Sequence, residues 1–375
     1  MIFLDNASTT RPYAECMDII NKYSAEKYYN PSAPYHEALS VSKEIKEARE
    51  KILRLLVGEG KIVFTASGTE SDNLALFGTK KPNGSRIVIS QSEHPAVYNC
   101  AMELKQRGYD VVEAKTDKTG RVIVGEFENL VNENTALVSI MHVNNETGCI
   151  NDIKTLCAIA KRKNPSVIFH SDGIQAVGKI RTNMRDLGVD LYSISAHKFH
   201  GLKGTGALFV KKGINLHPIM FGGGQEDNIR SATENVGGIM CLAYALERSI
   251  SKLEENDKHV RILRNAVING IDIYNIKVIS DDNSSPYILS LALKCVRGEV
   301  MLHSLEKYGI MIGTGSACST HKSSKRIPNL LRLPTEYENG IIRVSFNDFN
   351  TKDDIDYFIK QLNSEYKALY KYVRG

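Results

Sequence analysis

The sequence predicts an α/β fold built on a mostly parallel central sheet, for three reasons. Short β-branched and aliphatic runs recur up to about residue 250, and runs apolar at every position suit strands buried on both faces. Between them lie segments whose apolar residues are spaced by three and four, the period of an amphipathic helix. The two patterns alternate, which implies right-handed crossovers between neighbouring strands.

Taken in order, the strand candidates are 62–65, 87–90, 136–143, 167–170, 191–195 and 207–210. A helix is expected over 40–56, where Val41, Ile45, Ala48, Ile52 and Leu55 line one face. A second is expected over 95–107, with Pro95 at its start and Gly108 just past its end. Near residue 250 the texture changes: Ser251–Asp257 is polar and acidic, and the alternation beyond it is sparser, so a domain change is placed at 250–260. No internal repeat or low-complexity tract is present.

Composition narrows the class. A chain of 375 residues has room for roughly two domains. Its 42 % hydrophobic and 24 % charged residues are the balance of an ordinary globular protein. A net charge of +5 is too weak to argue for nucleic acid. The seven cysteines are odd in number and form no C-x-x-C pair, which disfavours a disulfide framework or a metal site and suits a reducing, cytoplasmic compartment. The MIFLDNAS start has neither a basic n-region nor a long apolar core, so no secretory signal is expected. No apolar run approaches a membrane span, and no membrane partner is expected.

Five segments carry chemistry. Ser195-Ala196-His197-Lys198 follows a strand and precedes Gly201, Gly204 and Gly206. A lysine there projects its amine into a cleft, and a buried amine with a lowered pKa forms Schiff bases; the plain alternative is a surface lysine in a loop. Asp172, in HSDGIQAVGK, ends an apolar strand at the mouth of a sheet, where such folds bind ligands. A carboxylate there suits the ring nitrogen of pyridoxal phosphate (PLP), which must stay protonated to act as an electron sink; a helix cap is the alternative. Thr65–Asn73 joins a strand to a helix with small and hydroxyl residues, a phosphate cradle or, with Thr69, a simple N-cap. His94, in SEHP, is placed to stack on a flat ring and shuttle protons, or merely to cap its helix. Cys318, in GTGSACSTH, sits in a small-residue loop where a thiolate has access; the other six cysteines read as small buried hydrophobes.

Together, LDNASTT, YNPSA, TASGTESDNLA, SEHPAV, SIMHVNNETG, HSDGIQAVGK, SAHK, RSATEN and GSACS resemble the cysteine desulfurases of the nitrogenase-associated and housekeeping branch, within the class V aminotransferase superfamily. The resemblance runs from about residue 4 to 350. It implies PLP fold type I, with a large domain over 13–255 and a smaller α+β domain from 1–12 and 256–375. It also implies a homodimer that converts L-cysteine to L-alanine and keeps the sulfur as a persulfide on Cys318. An acceptor protein then takes it, an iron–sulfur scaffold or a tRNA-thiolation enzyme.

By the same resemblance Lys198 carries PLP, Asp172 holds its pyridinium, and Gln175 donates to the ring 3′-oxygen. His94 stacks on the ring, and Asn145 lies beside the ring oxygen and substrate. Gly68, Thr69, Ser195 and His197 bind phosphate, joined by Thr233 of the second subunit. Arg343 takes the substrate carboxylate, near Asn30. The alternatives are another fold type I PLP lyase or aminotransferase, or a non-catalytic sulfur-carrier scaffold. Three departures from the pattern stand out: Ala196 for a glycine, Asp227 for a basic residue, and a basic run after Cys318. That run holds His321, Lys322, Lys325 and Arg326; it is either a solvated loop charged for solubility, or charges that favour a thiolate and meet an acidic acceptor face or RNA phosphates.

Overall fold

The computed structural model describes residues 1–314 and 330–374. Its strands are β1 (Ile2–Leu4), β2 (Gly60–Thr65), β3 (Arg86–Ser90), β4 (Asp110–Ala114), β5 (Thr135–Ser139), β6 (Ile168–Asp172), β7 (Leu191–Ser195), β8 (Gly206–Lys211), β9 (Ile276–Val278), β10 (Ile288–Leu293), β11 (Ile310–Thr314) and β12 (Ile341–Ser345). Among the described residues they form two sheets. One has the order β2-β8-β7-β6-β5-β3-β4 and the other β1-β11-β12-β10-β9.

In the larger sheet only β8 runs against its neighbours, so the sheet is mostly parallel as expected. The uniform burial of β7 explains why its residues are apolar or small at every position, since helices cover both faces. On one face helices His36–Leu55 and Val236–Ser251 bury Val41, Ile45, Ile52, Leu242 and Leu246. On the other, Gly68–Gly78 and Pro95–Gln106 bury Leu74, Leu76, Val97 and Leu104. The second sheet is mixed, with β1 parallel to β11 and the rest antiparallel. Val260, Leu263, Met301, Phe358 and Leu362, from the helices Leu253–Gly270, Gly298–Glu306 and Lys352–Arg374, fill its core.

Two expectations need correction. The apolar run 136–143 is strand only to Ser139. Beyond it Ile140, Met141 and Val143 stay buried while the chain turns beneath the second sheet, so apolarity outlasts the strand. The helix around 40–56 starts four residues earlier, at His36, and buried Ala38 carries the spacing of three and four back into its first turn. Among the described residues no helix is long and apolar enough to cross a membrane.

Candidate active site

Parallel strands deliver their C-terminal ends to one edge, and the loops leaving that edge converge. Asp172 is the last residue of β6, and Lys198 closes the short 3-10 turn Ala196–Lys198 after β7. His94 caps Pro95–Gln106 after β3. Gly68 and Thr69 open the helix after β2, where the first N–H groups have no partner within the helix. These residues line one cavity of about 290 Å3, together with Gln175, Ser195, His197, Asn145 and Arg343. Ala7, Ser8, Ser67, Met141 and Ile174 complete the wall.

Asp172 Oδ1 accepts from the Ile174 N–H at 2.9 Å. That bond closes a turn, and the next helix, Met184–Leu187, is capped by Asn183, so Asp172 is not the helix cap that its position after a strand also suggested. Burial pushes its pKa up to about 6, against the pull of the Ile174 N–H and of Lys198. Lys198 Nζ donates to the carbonyls of Ala7 (2.8 Å) and Ser8 (2.7 Å). His94 Nδ1 accepts from the Ala96 N–H at 3.1 Å, which leaves the proton of the neutral ring on Nε2. His197 is held neutral: burial, then Lys198, Lys203 and Lys179, take its pKa down to about 4, while its Nδ1 lies 3.1 Å from Thr9 Oγ1. Ser67, not Thr69, caps the phosphate-side helix, accepting from Glu70 N at 3.1 Å.

Arg343, from the middle of β12, reaches in from the second sheet. Its Nη2 donates to Asp5 Oδ1 at 2.6 Å and its Nη1 to the Asn145 carbonyl at 2.9 Å. Among the described residues its Nε is buried without a hydrogen-bond partner. A buried donor left over in this way is open to an incoming acceptor such as a carboxylate.

The donor set fits PLP. A buried carboxylate lies at the end of β6, an amine lines the same cavity, and so do Gly68 and Thr69 at a helix N-terminus. Gly68 leaves no room to spare, since a Cβ there would come within 2.2 Å of Ile174 Cδ1. A planar ring with a phosphate at one end suits that set of groups.

Nearly the whole chain is similar to known proteins. Residues 2–358 match the class V aminotransferase family. A cysteine desulfurase IscS of Dictyoglomus turgidum is 36 % identical over 373 residues, covering 96 % of this chain and 93 % of that one. A cysteine desulfurase of Trichormus azollae is 37 % identical over 368 residues, 96 % and 91 % of the two chains. A solved structure of a NifS-like protein superposes with a TM-score of 0.92 at 33 % identity, over 98 % of this chain and all of that one.

The chain belongs to the cysteine desulfurases of the class V aminotransferase family. A cysteine desulfurase depends on PLP, uses cysteine and hands sulfur to an acceptor. Its two sheets are those of the fold type I architecture.

Not every expected residue enters the cavity of this desulfurase. Thr233 is exposed in the stretch before helix Val236–Ser251, and Asn30 is exposed with its Oδ1 accepting from Ser32 N. Cys318 and the basic residues His321, Lys322, Lys325 and Arg326 lie outside the described residues. Of the other cysteines, Cys16, Cys100, Cys149, Cys157 and Cys241 are buried, but Cys295 is half-buried in a positive-φ turn, not a core slot. Burial raises the Cys100 and Cys149 thiols to about 12, the mark of inert sulfur. Asp227 forms an exposed pair with Lys61, beside Glu226, whose carboxylate accepts two hydrogen bonds from Arg49.

Sequence reading missed Asp5 and Lys179. Both stand inside motifs quoted for the resemblance, LDNASTT and HSDGIQAVGK, so the signal was present. What was lacking was the partner 338 residues away that gives Asp5 its role. Asp72, in the helix after β2, was also missed; its carboxyl is pushed well above the usual range by burial and then by Asp172.

Proposed function

We propose that this desulfurase converts L-cysteine to L-alanine with Cys318 as the sulfur acceptor, and that Lys198 supplies the amine that carries PLP. The convergence of Lys198, Asp172, His94 and Arg343 on one cavity supports this reading. When bound, PLP supplies an electron sink for negative charge at the substrate Cα. Asp172 keeps a counter-charge at the ring nitrogen, and the N–H groups of Gly68 and Thr69, with Ser195 and His197, hold the phosphate. Arg343, already anchored by Asp5 and Asn145, offers its buried Nε to the substrate carboxylate. Lys198 Nζ takes the Cα proton, and His94 Nε2 is positioned over the cavity to exchange protons. Gln175 and Asn145 orient the ring and substrate oxygens. Cys318 brings the thiolate that takes the substrate sulfur.

The same reading places Thr233 across a homodimer interface, Asn30 near the substrate carboxylate, and the enzyme in the cytoplasm. It delivers sulfur to an iron–sulfur scaffold or a tRNA-thiolation enzyme. It divides the chain into 13–255 and a second unit of 1–12 with 256–375; the pairing of β1 with β11 supports that grouping.

Peptide mass spectrometry after brief exposure to cysteine tests the assignment. The peptide holding Cys318 should carry one extra sulfur. Cys318→Ala should bind PLP and cysteine yet carry none. Sulfide release by that variant at the wild-type rate, or the extra sulfur on another cysteine, removes Cys318 from the reaction.

A further inference from the structure

Lys179 is 5 % exposed, in the turn after β6 and behind the cavity wall. Lysines are almost never this buried without a carboxylate partner. Among the described residues its amine makes a single hydrogen bond, to Gln175 Oε1 at 2.9 Å. Gln175 Nε2 in turn donates to the Ala7 carbonyl at 2.8 Å, and that carbonyl also accepts from Lys198 Nζ at 2.8 Å. Lys179, Gln175, Ala7 and Lys198 thus form one hydrogen-bonded chain along the cavity wall.

A side-chain amide is nearly symmetric in shape, and half a turn about its last bond exchanges donor for acceptor. At Gln175 both neighbours select the same orientation. Lys179 as an ammonium can only donate and so takes the oxygen, and a carbonyl can only accept and so takes the nitrogen. Nε2 carries a second N–H beyond the one given to Ala7, and Gln175 lines the cavity. Burial, then Lys198 and Arg343, bring the Lys179 pKa down to about 7, so the position is an unfavourable place for a cation. A methionine of similar length would avoid that penalty, so fold stability is not what the amine supplies.

We propose that Lys179 is a positioning residue of the desulfurase: through Gln175 Oε1 it fixes that amide with its N–H facing the cofactor cavity. The inference rests on the reading of that cavity as the PLP site. Without Lys179 only the Ala7 carbonyl still holds the amide, and orientations that present an acceptor to the cofactor oxygen gain population.

The test compares Lys179→Met, Gln175→Leu and the double variant with wild type. The readouts are PLP affinity of the apoprotein by fluorescence titration, the visible band of the bound cofactor, and kcat and KM for cysteine. Lys179→Met should melt no lower than wild type as apoprotein. It should bind PLP about tenfold more weakly with a shifted band, the weight of roughly one lost hydrogen bond, and kcat should fall with little change in KM. The double variant should lose no more than Gln175→Leu alone. Wild-type affinity and band in Lys179→Met, or losses that multiply in the double variant, overturn the proposal. If Lys179→Met does not fold, Lys179→Gln serves, polar but one bond too short to reach Oε1, with the same outcomes. If wild type makes no alanine from cysteine, the functional reading falls, while the apoprotein titrations still decide the role of Lys179.

Discussion

Replacing Asp172 by Asn should stabilise the apoprotein while abolishing turnover, and pH should tune the gain. The carboxyl has a pKa near 3.8 in an unfolded chain and about 6 in the fold, with burial the largest cause. Between those values the native state binds more protons than the unfolded state, so stability falls as pH rises and levels off above about pH 6. At 1.36 kcal/mol per pKa unit the ionised carboxylate costs the apoprotein about 3 kcal/mol at pH 8. Asparagine keeps an oxygen for the Ile174 N–H and carries no charge to desolvate. The gain from Asp172→Asn is therefore about 3 kcal/mol at pH 8, roughly half that at pH 5, and none below pH 3.8. Asp72, whose carboxyl is raised partly by the charge on Asp172, shifts in the same direction and adds to the gain. Urea unfolding of both apoproteins at pH 8 and pH 5, followed by far-UV circular dichroism, measures the difference. A variant no more stable than wild type at pH 8, or a gain that does not shrink towards pH 5, refutes the linkage. Cysteine turnover by the PLP-loaded variant should be lost, because a neutral amide cannot hold a proton on the ring nitrogen.

Two further outcomes follow from single contacts. Asp5→Asn removes the charge that anchors Arg343 Nη2 at 2.6 Å, and steady-state kinetics should show KM for cysteine raised about tenfold, the effect of one charge-assisted hydrogen bond, with kcat changed less; an unaltered KM would show that Asn145 alone suffices. Gly173→Ala puts a Cβ within 1.8 Å of Tyr192 Cε1, a ring locked by its 2.6 Å hydrogen bond to His142, so the variant should lose about 2 kcal/mol or more in the same unfolding assay, and a wild-type transition would mean the ring can move.

Much of the framework was legible because its signals are local. Burial on both faces leaves β7 without a charged position, and the strand occupies the residues expected, Leu191–Ser195. Helix Pro95–Gln106 begins and ends at its Pro and Gly signals. Six of the described strands went unread. β10, buried at every position like β7, lies with β11 and β12 beyond residue 250, where the alternation with helices thins out, and the other three give weak local signals. β4, at the edge of the larger sheet, carries Asp110 and Glu113 among five residues and looks too polar for a buried strand. β1 and β9 have three residues each, too few for any period to register. In the site, Asp172 and Lys198 were legible because strand ends announce themselves in the sequence, whereas the roles of Asp5 and Lys179 depend on what faces them.

The sequence by itself determined which chemical groups stand at the strand ends, the glycines and small residues that let a ligand approach them, and the motifs that place the chain among the cysteine desulfurases. Each is a matter of residue type and short spacing. Only the tertiary structure decided that Asp5 holds Arg343 across 338 residues, that Ala7 meets Lys198 across 191, and that β1 pairs with β11. It alone also set the protonation of the site, with Asp172 raised to about 6 and His197 lowered to about 4. The reason is common to both. Desolvation and long-range pairing depend on which distant segments pack against a residue, and no window of neighbouring sequence contains them.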